Sequence, residues 1–232
     1  MSKMIGIIGA MQVEVEGLCS LIENCVTKEL FGRKYYQGFI RGKEVVVVES
    51  GIGKVNASIT TSILCSNFDI DLIINTGVAG GIGNLETFDL IISDKLVYHD
   101  FDLTPIGYKK GVIPSLGKIF ESDKNAIAIC ETIAKEKNIS YKIGNIASGD
   151  IFATDPNIID GLELDIKAVE MEGAAIAHTA KIFNKPFIAL RVISDILGTE
   201  NQSASFNLVE KKAAEYASLF VFEIIGKLVL TK

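Results

Sequence analysis

The sequence predicts an α/β fold in which a mixed β-sheet is packed between helices. From residue 44 onward, short apolar runs typical of buried strands alternate with helical patterns, which favours a doubly wound sheet. Before that point, Gly32, Gly38 and Gly42 separate three short strands, which indicates an antiparallel meander. Both patterns together predict a mixed sheet. At 232 residues, the chain is long enough for one domain, 1–232, with a sizeable core.

The N-terminal half alternates between apolar strand patterns and helical spacing. In the first helical segment, Met11, Val15, Leu18 and Ile22 fall on one stripe. In chain order we predict a strand over Met4–Ile8, a helix over Met11–Ile22, strands near Val26–Phe31, Lys34–Ile40 and Glu44–Glu49, a helix over Val55–Cys65, and strands over Asp71–Asn75 and Leu90–Tyr98.

The C-terminal half begins with an irregular stretch, Phe101–Ser122, that contains several glycines and prolines. A loop of this length inside a compact domain is usually functional or covered by a partner, so we expect it near a two-fold interface beside the site. After it, we predict a helix over Asp123–Glu136, a strand over Tyr141–Ser148, helices near Pro156–Leu162, Met171–Phe183 and Ser205–Leu230, and a buried strand over Phe187–Asp195.

The composition argues against several classes of function. A formal net charge of −6 and only three arginines argue against nucleic acid as a partner. The apolar stretch Leu219–Leu230 is too short and too interrupted to span a membrane. Four scattered cysteines form no C-x-x-C pair, so we expect free thiols in the cytoplasm and no metal or other cofactor.

Three acids stand where apolar patterns predict a buried or crevice position. Glu172 lies at the strand-to-helix junction Val169–Gly173, and Asp195 ends the next buried strand. Ligands of open α/β sheets bind at the carboxyl ends of strands, so these two acids are expected to share a crevice. Glu14 lies on the apolar stripe of the first helix, which favours a site residue over the solvated helix acid that Glu16 resembles.

Small residues follow three of the predicted strands, at Gly9–Ala10, Gly51–Gly53 and Gly77–Gly81. Each cluster alone is typical of a tight turn, but three of them indicate one shared crevice in which backbone N–H groups approach a ligand. The spacing matches neither a dinucleotide fingerprint nor a Walker loop. We therefore expect no nucleoside triphosphate in this crevice.

Other candidate residues are less specific. His99 has no spaced second histidine except His178, which favours a loop or interface residue over a metal ligand or catalytic base. Asp150 follows a strand, where it serves as a cap or turn former. Phe152 and Phe206 lie in polar loops, where an aromatic ring often contacts a flat ligand. The candidate site thus combines three acids, loops of small residues and aromatic side chains in loops. This set is suited to cleavage of a bond through a positively charged transition state.

The order of these motifs closely resembles the 5′-methylthioadenosine/S-adenosylhomocysteine nucleosidases of the purine nucleoside phosphorylase superfamily. The resemblance runs from about residue 4 to the C-terminus and is carried by Gly6–Met11 with Glu14, Ser50–Val55, Asn75–Gly81, Ser148–Asp150, Val169–Glu172 and Arg191–Asp195. It implies a homodimer with a central mixed, twisted sheet wrapped by helices. It also implies hydrolysis of an N-glycosidic bond in methionine salvage, releasing adenine and a 5-thioribose product.

The resemblance assigns roles residue by residue. Glu14 would activate the attacking water, Asp195 held by Ser194 would protonate adenine N7, and Glu172 would bind a ribose hydroxyl. The helix that follows Glu172 is expected to favour its anion, and Glu14 is expected in a wetter place or near hydrogen-bond donors. The other substrate-binding positions implied are Ile52, Val78, Ala79, Gly80, Phe152, Ala153, Glu170, Met171, Arg191 and Phe206.

Two positions depart from the family pattern. Val78 stands where many members have serine, which makes the pocket drier. Ile106 stands where some members place an aromatic residue that reaches the partner's 5′ pocket, and Pro114 nearby is retained. These changes affect the preference for the 5′ substituent among methylthioadenosine, adenosylhomocysteine, 5′-deoxyadenosine and aminodeoxyfutalosine.

Three alternatives stay open at this stage. A phosphate-dependent nucleoside phosphorylase is disfavoured because Gln12, Glu14 and Glu16 follow the first strand with no arginine to bind the anion. An aminodeoxyfutalosine hydrolase would use the same acids on another substrate. A noncatalytic nucleoside-binding protein is disfavoured because all three acids are present.

Overall fold

A computed structural model describes residues 3–200 and 202–228. The strands in these ranges are β1 (Met4–Gly9), β2 (Glu23–Leu30), β3 (Arg33–Ile40), β4 (Lys43–Glu49), β5 (Ile70–Gly81), β6 (Leu90–Tyr98), β7 (Phe120–Glu121), β8 (Tyr141–Ser148), β9 (Ile166–Glu170) and β10 (Phe187–Ile196). The helices are α1 (Gln12–Ser20), α2 (Lys54–Asn67), α3 (Lys124–Glu136), α4 (Gly173–Ile182) and α5 (Gln202–Lys227).

All ten strands of the described residues belong to one sheet, in the order β10-β6-β8-β9-β5-β1-β4-β3-β2, with β7 paired to β6. The strands β4, β1, β5 and β10 run parallel to their neighbours in this series. The pairs β2–β3 and β3–β4 are antiparallel and form the predicted meander. The prediction of a mixed α/β sheet is therefore confirmed.

Part of the sheet closes on itself. The strand β5 pairs with β1 over its first half, with β10 along most of its length, and with β9 at Gly80 and Gly81. Because β10 also pairs with β6, and β8 links β6 to β9, five strands form a closed ring of pairings. The open sheet that the sequence predicts holds only for the β1–β4 side.

Helices cover both faces of the sheet, because the strands contain continuous apolar runs whose side chains point to both faces. Ile7 faces a core cluster that contains residues of α1, α3 and α5, whereas Ile8 faces a second cluster built with α2 and α4. Successive strand residues point to opposite faces, so a run in which every residue is apolar is buried on both sides.

Most predicted elements lie within a few residues of the observed ones, but two predictions are wrong. The strand expected to end at Asn75 continues to Gly81, because its glycines pair with both β10 and β9. The helix expected over Pro156–Leu162 is only a 3-10 turn at Pro156–Ile159, since Gly161 and Glu163 adopt positive φ and end it. The predicted end of the last helix, Leu230, lies outside the described residues.

The irregular stretch after β6 contains little regular structure, as predicted. A 3-10 turn at Thr104–Ile106 and the two-residue strand β7 are its regular elements among the described residues. Over residues 3–200 and 202–228, no helix combines the length and apolarity needed to cross a membrane.

Candidate active site

One cavity of about 370 Å³ gathers most of the residues that the sequence singled out. Its walls come from the segments that follow β1, β4, β8 and β9, from the ends of β5 and β10, and from α5. The described lining residues are Ala10, Met11, Glu14, Ile52, Val78, Ala79, Gly80, Ile151, Phe152, Ala153, Val169, Glu170, Met171, Glu172, Ser194, Asp195, Leu197 and Phe206. The three acids Glu14, Glu172 and Asp195 therefore share one site.

Glu14 is held in a cage of backbone donors. Its Oε2 accepts hydrogen bonds from the N–H groups of Ala10 at 2.7 Å and Met11 at 3.1 Å, and its Oε1 accepts one from Val78 at 3.0 Å. Of the two environments expected for Glu14, the structure shows the hydrogen-bond donors and not the wetter place, because the side chain is buried. Burial raises the pKa of this carboxyl above 4.5, although the Arg191 charge and the three N–H donors oppose the increase.

The glycines of β5 explain how acids fit beside a buried strand. A Cβ on Gly77 would collide with the Glu14 carboxylate, and a Cβ on Gly80 would lie 3.2 Å from Asp195 Oδ2 and collide with Leu197. The Gly77–Gly81 cluster is thus part of a strand that has glycines next to the two carboxylates, and it is not a ligand-cradling loop. It admits the two carboxylates, and its Val78 N–H binds one of them.

An irregularity in β10 places the Asp195 side chain at the cavity wall. The register of β10 against β5 shifts between Ile193 and Asp195, which leaves Ser194 as an extra residue beside Ala79 and Gly80. The Ser194 hydroxyl donates to Asp195 Oδ1 at 2.6 Å, as the resemblance implied. The Gln202 amide donates to Asp195 Oδ2 at 2.7 Å and to the Ala153 carbonyl at 2.8 Å. Both carboxylate oxygens are therefore fixed at the cavity wall.

Glu172 is the N-cap residue of α4 and faces the cavity. Its Oε1 accepts a 2.8 Å hydrogen bond from the Gly53 N–H. Burial, followed by the neighbouring charge of Glu170, raises the pKa of the Glu172 carboxyl to about 8, against the effects of the Gly53 donor and Arg191. The anion expected from the helix terminus is therefore disfavoured, because burial and the Glu170 charge outweigh that effect.

A buried ion pair supports the floor of the cavity. Arg191 Nη2 donates to Glu170 Oε2 and to Asn75 Oδ1, and Nη1 donates to the Leu190 carbonyl at 3.1 Å. Glu170 also accepts from the Ser148 hydroxyl, and from the Gly173 N–H at 2.8 Å. Burial alone would lower the pKa of Arg191, but the nearby carboxylates outweigh it and raise that pKa.

Apolar groups make up the rest of the wall. The Phe152 and Phe206 rings pack edge to face, with centroids 5.4 Å apart. Ile52 and Met171 lie with them around the cavity. This surface suits a flat apolar ring and a thioether group, and the carboxylates supply its polar anchors.

Several predicted residues do not line the cavity. Arg191 lies behind it against Glu170, because the buried carboxylate binds its guanidinium. Ile106 and Pro114 are exposed on the loop after β6, so their assignment to a partner's pocket stays a prediction. His99 is buried beside Gly149, away from the cavity lining, in agreement with a noncatalytic loop histidine.

Sequence reasoning missed residues that act through hydrogen bonds to the acids. Gln202 and the Gly53 N–H bind Asp195 and Glu172 directly. Leu197 and Ile151 line the cavity without any local signal. The one available signal was the N-terminal position of Gly53 before α2, where an unpaired N–H is expected. Among the described residues, no group of three or more His, Cys, Asp or Glu is arranged to hold a metal ion.

Comparison with known proteins is consistent with this geometry. The model of the "Phosphorylase superfamily" matches residues 4–226. The chain is 39% identical over 229 residues to a 5′-methylthioadenosine/S-adenosylhomocysteine nucleosidase of Aeromonas salmonicida, covering 97% of this chain and 99% of the relative.

Solved structures match the fold over nearly the whole chain. The fold matches the nucleosidase of that name from Neisseria meningitidis in complex with methylthio-immucillin-A, with a TM-score of 0.93, 36% identity, and 97% and 100% of the two chains covered. It also matches the futalosine hydrolase of Helicobacter pylori strain 26695, with a TM-score of 0.92, 31% identity, and 98% and 99% covered.

Proposed function

The chain belongs to the phosphorylase superfamily, and we propose that it is an N-glycosidase that hydrolyses 5′-methylthioadenosine and S-adenosylhomocysteine to adenine and a 5-thioribose product. The observation that carries this proposal is the convergence of Glu14, Glu172 and Asp195 on one apolar cavity. The whole chain, 1–232, forms the nucleosidase domain in this proposal.

Asp195 serves as the acid on the base side of the cavity. A leaving adenine carries negative charge unless a proton reaches it, and a fixed carboxyl group can deliver that proton to N7. The Ser194 and Gln202 contacts hold the side chain in one orientation. Gln202 also binds the Ala153 carbonyl, so the acid and the proposed base-binding segment keep a fixed spacing.

Glu14 serves as the base that activates water. Its three backbone donors fix its position, and burial raises its pKa toward the range in which a carboxylate accepts a proton more readily. Glu172 serves on the ribose side. In its neutral form it can donate to a ribose hydroxyl, and the positive charge that develops on the sugar favours its anion.

Water fits this site better than phosphate. The described residues that line the cavity include no lysine or arginine. The guanidinium of Arg191 is already bound to Glu170 and Asn75 behind the wall. A phosphate ion would therefore meet three carboxyl groups without a cation to neutralise it.

The active form is proposed to be a homodimer in the cytoplasm. Apolar side chains at the cavity mouth and nearby are exposed in the single chain, among them Ile52, Val55 and Ile59, and Ile106 is 69% exposed. Exposed apolar groups of this kind favour a protein interface. Sedimentation at micromolar concentration should give a dimer, and a monomer would contradict this part. The free cysteines fit a reducing compartment.

The function is tested by incubation with methylthioadenosine, with and without phosphate. We expect release of adenine at the same rate in both, and strict dependence on phosphate would indicate a phosphorylase. Glu14→Gln and Asp195→Asn should each keep adenine binding and abolish turnover, since each removes one proton-transfer group. Cleavage by both variants at the parent rate would contradict the assigned roles, and binding without any cleavage by the parent would indicate a noncatalytic binding protein.

A second substrate is considered because one similar structure is a futalosine hydrolase. Aminodeoxyfutalosine has a bulkier 5′ group on the same nucleoside core. Competition between it and methylthioadenosine measures the ratio of kcat/KM directly. A ratio that favours aminodeoxyfutalosine would reassign the substrate but not the chemistry.

A further inference from the structure

A charged cluster outside the cavity links two of the segments that form its wall, those after β4 and β8, to the segment that follows β6. The Lys54 ammonium lies 2.6 Å from Asp100 Oδ2 and 3.8 Å from Asp150 Oδ2. The Asp150 N–H donates to the same Asp100 oxygen at 2.9 Å. These three residues, named the rim clamp here, join the segments that follow β4, β6 and β8.

The rim clamp reaches Glu172 through two successive backbone amides. The Lys54 N–H donates to Asp150 Oδ1 at 2.8 Å, and the preceding N–H, that of Gly53, donates to Glu172 Oε1 at 2.8 Å. Gly53 has φ of +96°, a conformation that favours glycine, and a Cβ there would lie 3.1 Å from Asp150 Oδ1. Asp150 therefore contacts the backbone that carries the donor to Glu172.

The same clamp holds two walls of the cavity. Ile52 precedes Gly53, and Ile151 and Phe152 follow Asp150, and all three line the cavity. Since Asp150 joins these two segments directly, its loss would let both move relative to Glu172. Small displacements at a reacting centre reduce rates strongly.

We propose that Asp150 is a positioning residue for N-glycosidic cleavage, which acts by holding the Gly53 N–H on Glu172 and the Ile52 and Phe152 segments against the substrate. This inference rests on the proposed function, because it concerns how Glu172 is presented to the sugar. Asp150 touches neither the cavity nor the reacting atoms, so its effect passes through other groups.

The charges around Glu172 explain why the hydrogen bond from the Gly53 N–H affects its ionisation. Glu172 faces Glu170 from β9, Arg191 from β10 and Glu14 from α1, and Arg191 is already paired with Glu170. The Gly53 amide is the group that donates directly to the Glu172 carboxylate among the described residues. If that amide moves away, the anion loses its donor and the pKa of Glu172 rises further.

The test measures kcat and KM for methylthioadenosine between pH 5.5 and 9.5. We expect Asp150→Ala to lower kcat/KM about tenfold at pH 7 and to shift the acidic limb of the profile to higher pH. Asp150→Asn keeps an acceptor at Oδ1 for the Lys54 N–H, so it should stay within about threefold of the parent. Asp165→Asn, which breaks an exposed pair with Lys167, serves as the matched control and should match the parent, because neither residue lines the cavity.

A parent-like pH profile for Asp150→Ala would overturn the proposal, even if its Tm is lower, because a purely structural role predicts that result. Equal losses in Asp150→Asn and Asp150→Ala would also overturn it. If Asp150→Ala does not fold, Asp100→Ala replaces it, because it removes the oxygen that accepts from Lys54 and from the Asp150 N–H. It should shift the profile in the same direction, and an unshifted profile there would overturn the proposal. The parent is assayed before the variants. If the parent does not cleave the substrate, the result contradicts the proposed function and not the role of Asp150.

Discussion

Glu170 and Glu172 are the same residue type, two positions apart, and equally buried at 7% and 6% exposure, yet they have different surroundings. Glu170 binds Arg191, Ser148 and two backbone N–H groups. Glu172 has the Gly53 N–H and an open face toward the cavity. Burial therefore does not distinguish the structural acid from the reactive one, whereas the ion pair with Arg191 does.

The difference in partners between Glu170 and Glu172 shows which of two buried acids can bind a substrate. A carboxylate that has used its hydrogen-bonding capacity on the protein has none left for a substrate. A carboxylate with unused capacity in a dry site has a raised pKa and an unmet demand that a ligand can satisfy. The predictions below test this division between the two acids.

Removal of the structural acid should have the largest effect. Glu170→Ala leaves Arg191 buried without its ion-pair partner, and breaking a buried pair in this way destabilises proteins by about 3–5 kcal/mol. Urea denaturation measures the free energy of unfolding, with the exposed Glu16→Ala as control. A loss below about 1 kcal/mol would mean that the pair does not support the cavity floor.

Removal of the reactive acid should change catalysis and leave folding intact. Glu172→Gln keeps the side-chain volume but loses the anion that stabilises the positively charged sugar, so kcat/KM should fall roughly 100-fold. Its stability at pH 7 should not decrease, because a neutral amide replaces a group whose ionisation burial disfavours. Unchanged kcat/KM combined with strong destabilisation would reverse the assignment of the two glutamates.

A third prediction concerns a hydroxyl that binds the structural acid, Glu170, and not Glu172. The Ser148 hydroxyl donates to Glu170 and accepts the Ala174 N–H at 2.7 Å. Ser148→Ala leaves the Ala174 N–H and one Glu170 oxygen without that partner, which should destabilise the fold by about 2 kcal/mol. Thermal denaturation checks this against Thr132→Ala, which removes an exposed hydroxyl on α3.

The last prediction is a pH dependence of stability, which is the smallest effect when it is taken per pH unit. The folded-state pKa of Glu172 is about 8, above its ordinary value of 4.5, so the folded chain binds this proton more tightly than the unfolded chain. Its contribution to stability is complete below about pH 4.5 and is lost as the pH rises toward 8, with a slope of at most about 1.4 kcal/mol per pH unit. Glu172→Gln should reduce this slope, and an identical slope in the variant would contradict the raised pKa.

Local patterns were enough to predict most element types and to select three acids that line the cavity. Apolar periodicity placed Glu14 on the buried stripe of α1 and Asp195 near the end of β10, and both line the cavity. Small residues at 9–10, 51–53 and 77–81 correctly indicated one crevice. Within 77–81, the absence of side chains at Gly77 and Gly80 leaves room for the Glu14 and Asp195 carboxylates.

The partners of these acids could not be predicted because they come from distant parts of the chain. The Val78 N–H that binds Glu14 is 64 residues away, and the Gly53 N–H that binds Glu172 is 119 residues away. The resemblance implied that Arg191 binds the substrate, and the position of Glu172 before α4 predicted an anion. In the structure the Glu170 carboxylate binds the arginine. Burial, followed by the charge of Glu170, raises the pKa of Glu172.

The most direct test of the account is cleavage of methylthioadenosine in ¹⁸O-enriched water containing phosphate, followed by mass spectrometry of the sugar product. If Glu14 activates water in a cavity that repels anions, each product molecule should carry one ¹⁸O from the solvent at the anomeric carbon, and no sugar phosphate should form. A sugar phosphate without solvent oxygen at that carbon would contradict the account.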